Sequence, residues 1–216
     1  GKSLVVLGSG ETIRDMARNR DQQQRRGQLV EAAERAVLKH GAAAVRLRDV
    51  ADEAGLTSGA VLYYYGELDE LLVETHSRAV ERFCQQREDT VDAIADPREQ
   101  LRAAVRAGLP VGPEDELVKL LYEFDGQGTR RQGYGRLSRE YFARQVAIYH
   151  SILVAGQAAG QFRLTAPARD IGRNLVALED GYGYYVVLPE SGIDADAAES
   201  LILAYAEAAT GCALRG

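Results

Sequence analysis

The chain has 216 residues, of which 46% are hydrophobic and 27% are charged, and its formal net charge is −6. This composition is typical of a globular protein with a sizeable core, and it excludes a largely disordered chain. No apolar run approaches the ~20 residues that a membrane-spanning helix needs, and two cysteines cannot form a disulfide framework. We therefore expect a cytoplasmic protein with no membrane partner.

Charge is distributed unevenly along the chain. Residues 1–66 carry ten basic and eight acidic side chains, whereas residues 67–216 carry sixteen basic and twenty-four acidic ones. A mildly basic N-terminal part thus precedes a strongly acidic remainder. This asymmetry favours a polyanion-binding module at the N-terminus.

The first residues show the least regular pattern. Residues 4–7, followed by Gly8 and Gly10, are similar to a strand that enters a phosphate-binding loop. A dinucleotide-binding loop needs a third glycine, however, where this chain has Ile13. We predict instead that residues 1–23 form a flexible leader.

From about residue 24 onwards the apolar residues recur at helical spacing, and no convincing strand-like alternation follows residue 7. The stripes include Leu29, Leu47, Leu71, Val105, Leu120, Val146, Leu175 and Leu201. All five prolines, from Pro97 onwards, fall between stripes, where a missing N–H is tolerated best. The pattern predicts an all-α fold of about nine helices.

The clearest functional signal lies in residues 47–64. Residues 47–54 and 58–64 predict two short helices joined by a tight turn. Gly55 supplies the backbone freedom that the turn needs, and the Thr57 hydroxyl can cap the second helix. With the preceding helix packed behind them, they predict a helix-turn-helix, whose second helix can enter the major groove of DNA.

This segment resembles the DNA-binding domain of the TetR (tetracycline-repressor-like) family. The resemblance rests on Gly41, residues 50–61, the tyrosines at residues 63–65, and the leucine pair at residues 71–72. It implies a three-helix helix-turn-helix domain at residues 24–70, and an all-helical effector-binding and dimerisation domain at residues 71–216. It also implies a ligand-responsive transcriptional regulator, most often a repressor, that binds a palindromic double-stranded DNA operator as a homodimer.

Position by position, the resemblance implies DNA contacts at Arg48, Thr57, Ser58, Gly59, Ala60, Tyr63 and Tyr64. Arg25, Arg26 and Arg46 are further candidate partners of phosphates. The small side chains of Gly59 and Ala60 would let the helix approach the bases closely. Ring burial between helices is the alternative role for the tyrosines, and we prefer it for Tyr65. The chain departs from the family at Leu68, where a phosphate-binding lysine is usual.

Two apolar stripes near the C-terminus predict a self-complementary four-helix interface between two copies. Its predicted residues are Ile171, Leu175, Leu178, Tyr182, Tyr185, Leu201, Tyr205 and Ala208. The alternative is that both stripes pack only on their own subunit.

Acidic residues stand beside aromatic ones within residues 122–125, 140–142 and 179–184. Rings and carboxylates together can hold an organic cation, so a cationic small molecule is one hypothesis for the otherwise unknown effector. The predicted contacts are Tyr122, Glu123, Tyr141, Tyr149, Glu179 and Tyr182. Alternatively, the acids form a solvated face and the rings belong to the core. Residues 178–185 also resemble the C-terminal part of TetR-family members that include choline-responsive repressors.

No catalytic chemistry is predicted. His40, His76 and His150 lie far apart, without the close spacing of metal ligands or of a hydrolase triad. We therefore predict no catalytic residue, no metal, no cofactor and no enzymatic activity. The competing hypothesis is an all-α small-molecule-binding protein or enzyme whose N-terminal part does not bind DNA.

Overall fold

The computed structural model describes residues 9–127 and 132–214, with the side chains of residues 16–127 and 134–214. Within these ranges the protein forms nine helices and no strand, which confirms the predicted fold class. The helices are α1 (Ser9–His40), α2 (Leu47–Ala54), α3 (Ser58–Tyr64), α4 (Leu68–Asp92), α5 (Pro97–Gly108), α6 (Glu116–Asp125), α7 (Gln132–Ala158), α8 (Ala168–Val187) and α9 (Ala195–Thr210). None of the described helices is both long enough and apolar enough to cross a bilayer.

Helix α1 corrects the prediction of a flexible leader at residues 1–23. The helix begins at Ser9, and residues 1–8, with the glycine motif at Gly8, lie outside the described part of the chain. No glycine or proline interrupts residues 11–26, and arginine, glutamine and alanine in this segment are good helix formers. The polar composition that suggested a leader belongs to an exposed helix, because the side chains of residues 16–25 are all exposed.

The chain divides into two compact units, one up to Thr75 and one from His76 onwards, five residues beyond the predicted boundary. We call them the N-terminal and C-terminal domains. Helix α4 contributes residues to both. In the N-terminal domain, α1 packs against α2 and α3. The core residues there include Leu29, Ala33, Val37, Val50 and Val61, all of which are buried.

In the C-terminal domain, α7 packs along α8, α5 packs against α7, and α9 packs against α8 and α5. Local chemistry sets the ends of these helices. Pro97 occupies the first turn of α5 behind the capping carboxylate of Asp96, and Asp115 and Asp194 cap α6 and α9 in the same way. Pro167 directly precedes α8. The prolines therefore mark helix boundaries as predicted.

The predicted dimer stripe on α8 needs correction. Ile171 and Leu175 are 1% and 0% exposed because they belong to the core of their own domain, so they offer no surface to a second copy. Leu178 and Tyr182 pack partly against the same core. Tyr185 on α8 and Leu201 on α9 remain exposed, each at 47%.

Candidate functional site

The helix-turn-helix has the predicted boundaries, with α2 at Leu47–Ala54 and α3 at Ser58–Tyr64. Gly55 ends α2 in the left-handed conformation, at φ 64°, which a residue with a side chain adopts at a cost. The Thr57 hydroxyl accepts a hydrogen bond of 3.2 Å from the backbone N–H of Ala60 and so caps α3. These two local interactions set the turn that presents α3.

The basic residues before and within α2 are available at the surface. The backbone N–H of Arg46 donates to the carboxylate of Asp49 over 2.8 Å, so the start of α2 is capped from within the helix. The side chains of Arg46 and Arg48 are both exposed. Neither guanidinium is therefore needed to hold this end of the helix.

The outward surface of α3 carries the remaining candidates. Tyr63 is 71% exposed, and its ring packs edge to face on that of half-buried Tyr64 at 5.1 Å. Gly59 and Thr57 are also exposed, and Ser58 and Ala60 are half-buried. The tyrosine hydroxyls can therefore meet a phosphate at this surface.

Tyr65 takes the buried role that we preferred for it, since it is only 1% exposed. The guanidinium of Arg26 lies 4.1 Å from the centre of its ring. The same guanidinium donates to Glu74 over 2.6 Å and to the Tyr64 carbonyl over 3.1 Å. Arg26 therefore joins α1 to the segment after α3, and this engagement argues against its suggested role as a phosphate partner.

The C-terminal domain contains a pocket of about 390 Å³ between α6, α7 and α8, which we call the α6–α8 pocket. It is lined by Asp125, Gly135, Ser138, Arg139, Tyr141, Phe142, Val176 and Asp180. Among the described residues, this pocket therefore brings together two carboxylates, two aromatic rings and one basic side chain.

The pKa values of both pocket carboxylates are raised, although both residues remain exposed. Desolvation by the surrounding protein and the charge of Asp125 raise the pKa of Asp180 to about 6. Desolvation also raises the pKa of Asp125, although a hydrogen bond of 3.3 Å from the Ser138 hydroxyl acts in the opposite direction. A cation bound between them would relieve this cost, since an opposite charge stabilises the ionised form.

The structure separates the six predicted effector contacts. Tyr141 lines the α6–α8 pocket, and the Tyr122 hydroxyl donates to the carbonyl of Asp180 over 3.3 Å. Glu123 is exposed and Tyr182 is half-buried against the core, and neither contributes to the described lining.

The prediction that Tyr149 and Glu179 contact the effector is wrong, because both residues lie in the core. The Glu179 carboxylate is 3% exposed, accepts a hydrogen bond from the Tyr149 hydroxyl and forms an ion pair of 2.7 Å with Arg87. A Cβ atom at Gly108 would overlap this carboxylate, so the glycine in α5 makes room for it. Sequence reasoning missed Arg87 and Gly108, since no local pattern marks a lone arginine as buried.

A stacked aromatic cluster lies where α4 enters the C-terminal domain. The ring of His76 stacks on Phe124 at 4.8 Å and on Tyr134 at 5.9 Å. Burial lowers the pKa of His76 to about 4, so its ring is neutral at physiological pH. Phe124 directly precedes the pocket residue Asp125, which makes this cluster a neighbour of the α6–α8 pocket in sequence.

A helix-turn-helix domain followed by an all-helical domain with a pocket of aromatic and acidic residues defines a DNA-binding regulator with a ligand-binding domain. Two family models match the chain. "Bacterial regulatory proteins, tetR family" covers residues 29–75, and "BetI-type transcriptional repressor, C-terminal" covers residues 97–211, more than half of the chain. The chain belongs to the TetR family of transcriptional regulators.

Individual relatives agree with this assignment. The transcriptional regulator BetI of Agrobacterium fabrum is 30% identical over 165 residues, which are 73% of this chain and 74% of the relative. The nicotine-responsive repressor HdnoR of Paenarthrobacter nicotinovorans is 28% identical over 187 residues, which are 84% of this chain and 93% of the relative. A regulator of Saccharomonospora viridis, solved in complex with choline, shares the fold with a TM-score of 0.78 at 24% identity, covering 86% of this chain and 96% of that one.

Proposed function

We propose that this protein is a repressor whose operator affinity is controlled by a small organic cation bound in the α6–α8 pocket. The observation that carries the proposal is the pair of carboxylates, Asp125 and Asp180, beside the rings of Tyr141 and Phe142. Carboxylates attract a cation by charge, and aromatic faces add cation–π attraction.

The charges of the surrounding residues leave the pocket negative. Arg139 compensates one of the two carboxylates at most, and the nearby charge of Glu179 is already balanced by Arg87. A quaternary ammonium ion suits such a site because the carboxylates attract its permanent charge and its alkyl groups can lie against the aromatic rings. The relatives supply probes of this chemistry: choline is the ligand of the Saccharomonospora regulator, and HdnoR is named as nicotine-responsive.

The dimer surface that we propose is the exposed side of α8 and α9. It keeps the partly or fully exposed members of the predicted set, which are Leu178, Tyr182, Tyr185, Leu201, Tyr205 and Ala208. The amide of Asn174 donates to the Tyr205 hydroxyl over 2.8 Å and so ties α8 to α9. A two-fold pair of these surfaces would let two α3 helices read two half-sites of an operator.

Helix α4 is the proposed connection between effector and DNA. It carries His76, which stacks on Phe124 beside the pocket residue Asp125, and it also contributes Leu71 and Leu72 to the core of the N-terminal domain. An effector that binds more tightly to one position of α4 would shift the population towards that position. Only such a difference in affinity can change DNA binding.

The direct test measures DNA binding by fluorescence anisotropy, with a duplex that the protein itself selects from a random-sequence pool. We expect two chains per palindromic duplex, and a changed affinity in the presence of choline or another quaternary amine. The neutral isostere 3,3-dimethyl-1-butanol is the matched control and should have no effect. Absence of DNA retention at physiological salt would favour the rival small-molecule-binding protein or enzyme.

The pH dependence of cation binding gives a further check within this experiment. With its pKa near 6, Asp180 is mostly ionised at pH 7.5 and about nine-tenths neutral at pH 5. The affinity for a quaternary amine, whose charge does not titrate, should therefore fall roughly tenfold between these pH values. An affinity that is equal at both, by calorimetry, would contradict a role for Asp180.

Gly59→Ala tests whether α3 approaches DNA closely. An added Cβ atom at Gly59 would come no closer than 4.0 Å to the Thr57 hydroxyl, so the domain itself tolerates it. Alanine is favoured over glycine in a helix by about 0.5–1 kcal/mol, so the melting temperature should rise slightly. Operator affinity should nevertheless fall about tenfold, because the methyl group meets the DNA. Unchanged affinity in anisotropy would place residue 59 outside the contact.

A further inference from the structure

A second concavity, which has a mostly polar lining, lies on the N-terminal domain, where the first part of α1 runs beside the end of α3. Its volume is about 410 Å³, and Arg18, Gln22, Arg25, Gln28, Tyr63 and Tyr64 contribute to its lining. We call it the α1–α3 groove. Every one of these six side chains carries a hydrogen-bond donor, and Asp21 supplies the acidic group of the lining.

The α1 side of the groove is a regular stripe. Arg18, Gln22, Arg25 and Gln28 are spaced by four, three and three residues, which places them on one face of the helix. The stripe is about 15 Å long at the rise of an α-helix. Arg25 also donates to the Gln28 side chain over 2.9 Å, which orders that end of the stripe. The match to the family's DNA-binding domain begins only at residue 29, so this stripe precedes it.

The recognition helix itself lacks cations. Helix α3 contains no lysine or arginine, and Leu68 follows it at the start of α4. Tyr63 can position a phosphate by a hydrogen bond, but a hydroxyl contributes no counterion release. The nearby arginines of α1 supply the missing positive charge within the same groove.

We infer that the α1–α3 groove binds phosphates of the DNA backbone, so that the N-terminal stretch of α1 forms a second DNA-contacting element beside α3. Arginine guanidinium groups, glutamine amides and tyrosine hydroxyls are the donors that backbone phosphates accept from. Such contacts strengthen binding to any sequence and make it depend on salt. This inference rests on the proposed operator binding.

The test compares the double variant R18A/R25A with R20A by fluorescence anisotropy across a salt series. Arg20 is an exposed arginine on the same helix that lies off the stripe, so R20A is the control for the loss of a positive charge elsewhere on α1. The probes are the duplex selected by the wild-type protein and an unrelated duplex of equal length. Circular dichroism should show equal melting temperatures for all three proteins, since Arg18 and Arg25 are exposed.

We expect R18A/R25A to weaken binding of both duplexes roughly tenfold, and to lower the slope of log K against log salt by about 2 per bound subunit. R20A should stay close to wild type, and R18K/R25K should recover most of the salt slope. Equal losses in R18A/R25A and R20A, or no loss in either, would overturn the inference while leaving operator binding intact. A wild-type protein that retains neither duplex would overturn the proposed function and the inference together.

Discussion

Replacing Arg87 with methionine is expected to destabilise the C-terminal domain by roughly 3–5 kcal/mol, because it leaves a buried carboxylate without its partner. Arg87 is 1% exposed, and it forms the ion pair with Glu179 and donates to the Ala104 carbonyl over 2.9 Å. Burial alone would lower the pKa of Arg87, but the charge of Glu179 outweighs it and raises the pKa above its ordinary value. Urea unfolding followed by circular dichroism measures the loss.

The loss of folding stability in R87M, relative to wild type, should grow as pH rises. Burial already raises the pKa of Glu179, and removal of Arg87 takes away the opposing charge, so the folded pKa rises further. In the folded state Glu179 then holds its proton more tightly than in the unfolded state, and stability falls as pH rises from the unfolded pKa through the folded one.

The variant R82M is the control, because Arg82 is exposed on the same helix, and its free energy of unfolding should lie within about 0.5 kcal/mol of that of wild type. The double variant R87M/E179Q should regain part of the loss, and a loss that is independent of pH would contradict this account.

Asp180→Asn is expected to weaken binding of a quaternary amine by at least roughly tenfold while making the protein more resistant to heat. Two facing carboxylates attract a cation, and removal of one lowers that attraction. The same removal relieves the repulsion and desolvation that raise the pKa of Asp180 to about 6, and the gain in stability should be small because Asp180 is exposed. The gain in stability should be present at pH 7 and disappear as pH falls below the unfolded pKa, where wild-type Asp180 is also neutral. Calorimetry with choline and thermal unfolding provide the two measurements.

Asp170→Asn provides the control for D180N, because Asp170 lies on the same helix, is exposed and pairs with Arg173 away from the pocket lining. It should bind the amine as wild type does. If D180N and D170N bind choline with equal affinity, Asp180 does not belong to the effector site. If D180N melts at a lower temperature than wild type, the carboxylate has a stabilising role that the raised pKa does not explain.

The helix-turn-helix was predictable to the residue because its signals are local. Gly55 and Thr57 act through their own backbone and the next few residues, so the sequence alone indicates where α2 ends and α3 begins. The lining of the effector pocket could not be predicted from local signals alone. The acidic and aromatic segments were found, but neighbouring residues on a helix differ in direction by about 100°, and only the packing showed that Asp180 faces the pocket while Glu179 faces the core.

The same limitation explains the errors at the dimer stripe and at the N-terminus. Ile171 and Leu175 have the spacing of an interface, but an apolar stripe that meets its own core looks identical in sequence. Residues 16–25 have the composition of a solvated leader, and a solvated helix shares that composition. Periodicity therefore identified the helices, and tertiary contacts decided which face of each one was free.

Gly108 makes the residues that α5 can carry dependent on those of α8, a helix that is distant in sequence but in contact with it. Because a Cβ atom there would overlap the Glu179 carboxylate, a larger residue in α5 would displace that carboxylate, and its ion pair with Arg87 on α4 would have to rearrange. We therefore expect the effects of substitutions at these three positions, which are separated by up to 92 residues, to depend on one another. A chimera that exchanges α5 alone with a homologue lacking this glycine would inherit a steric conflict, whereas one that exchanges all three segments would not.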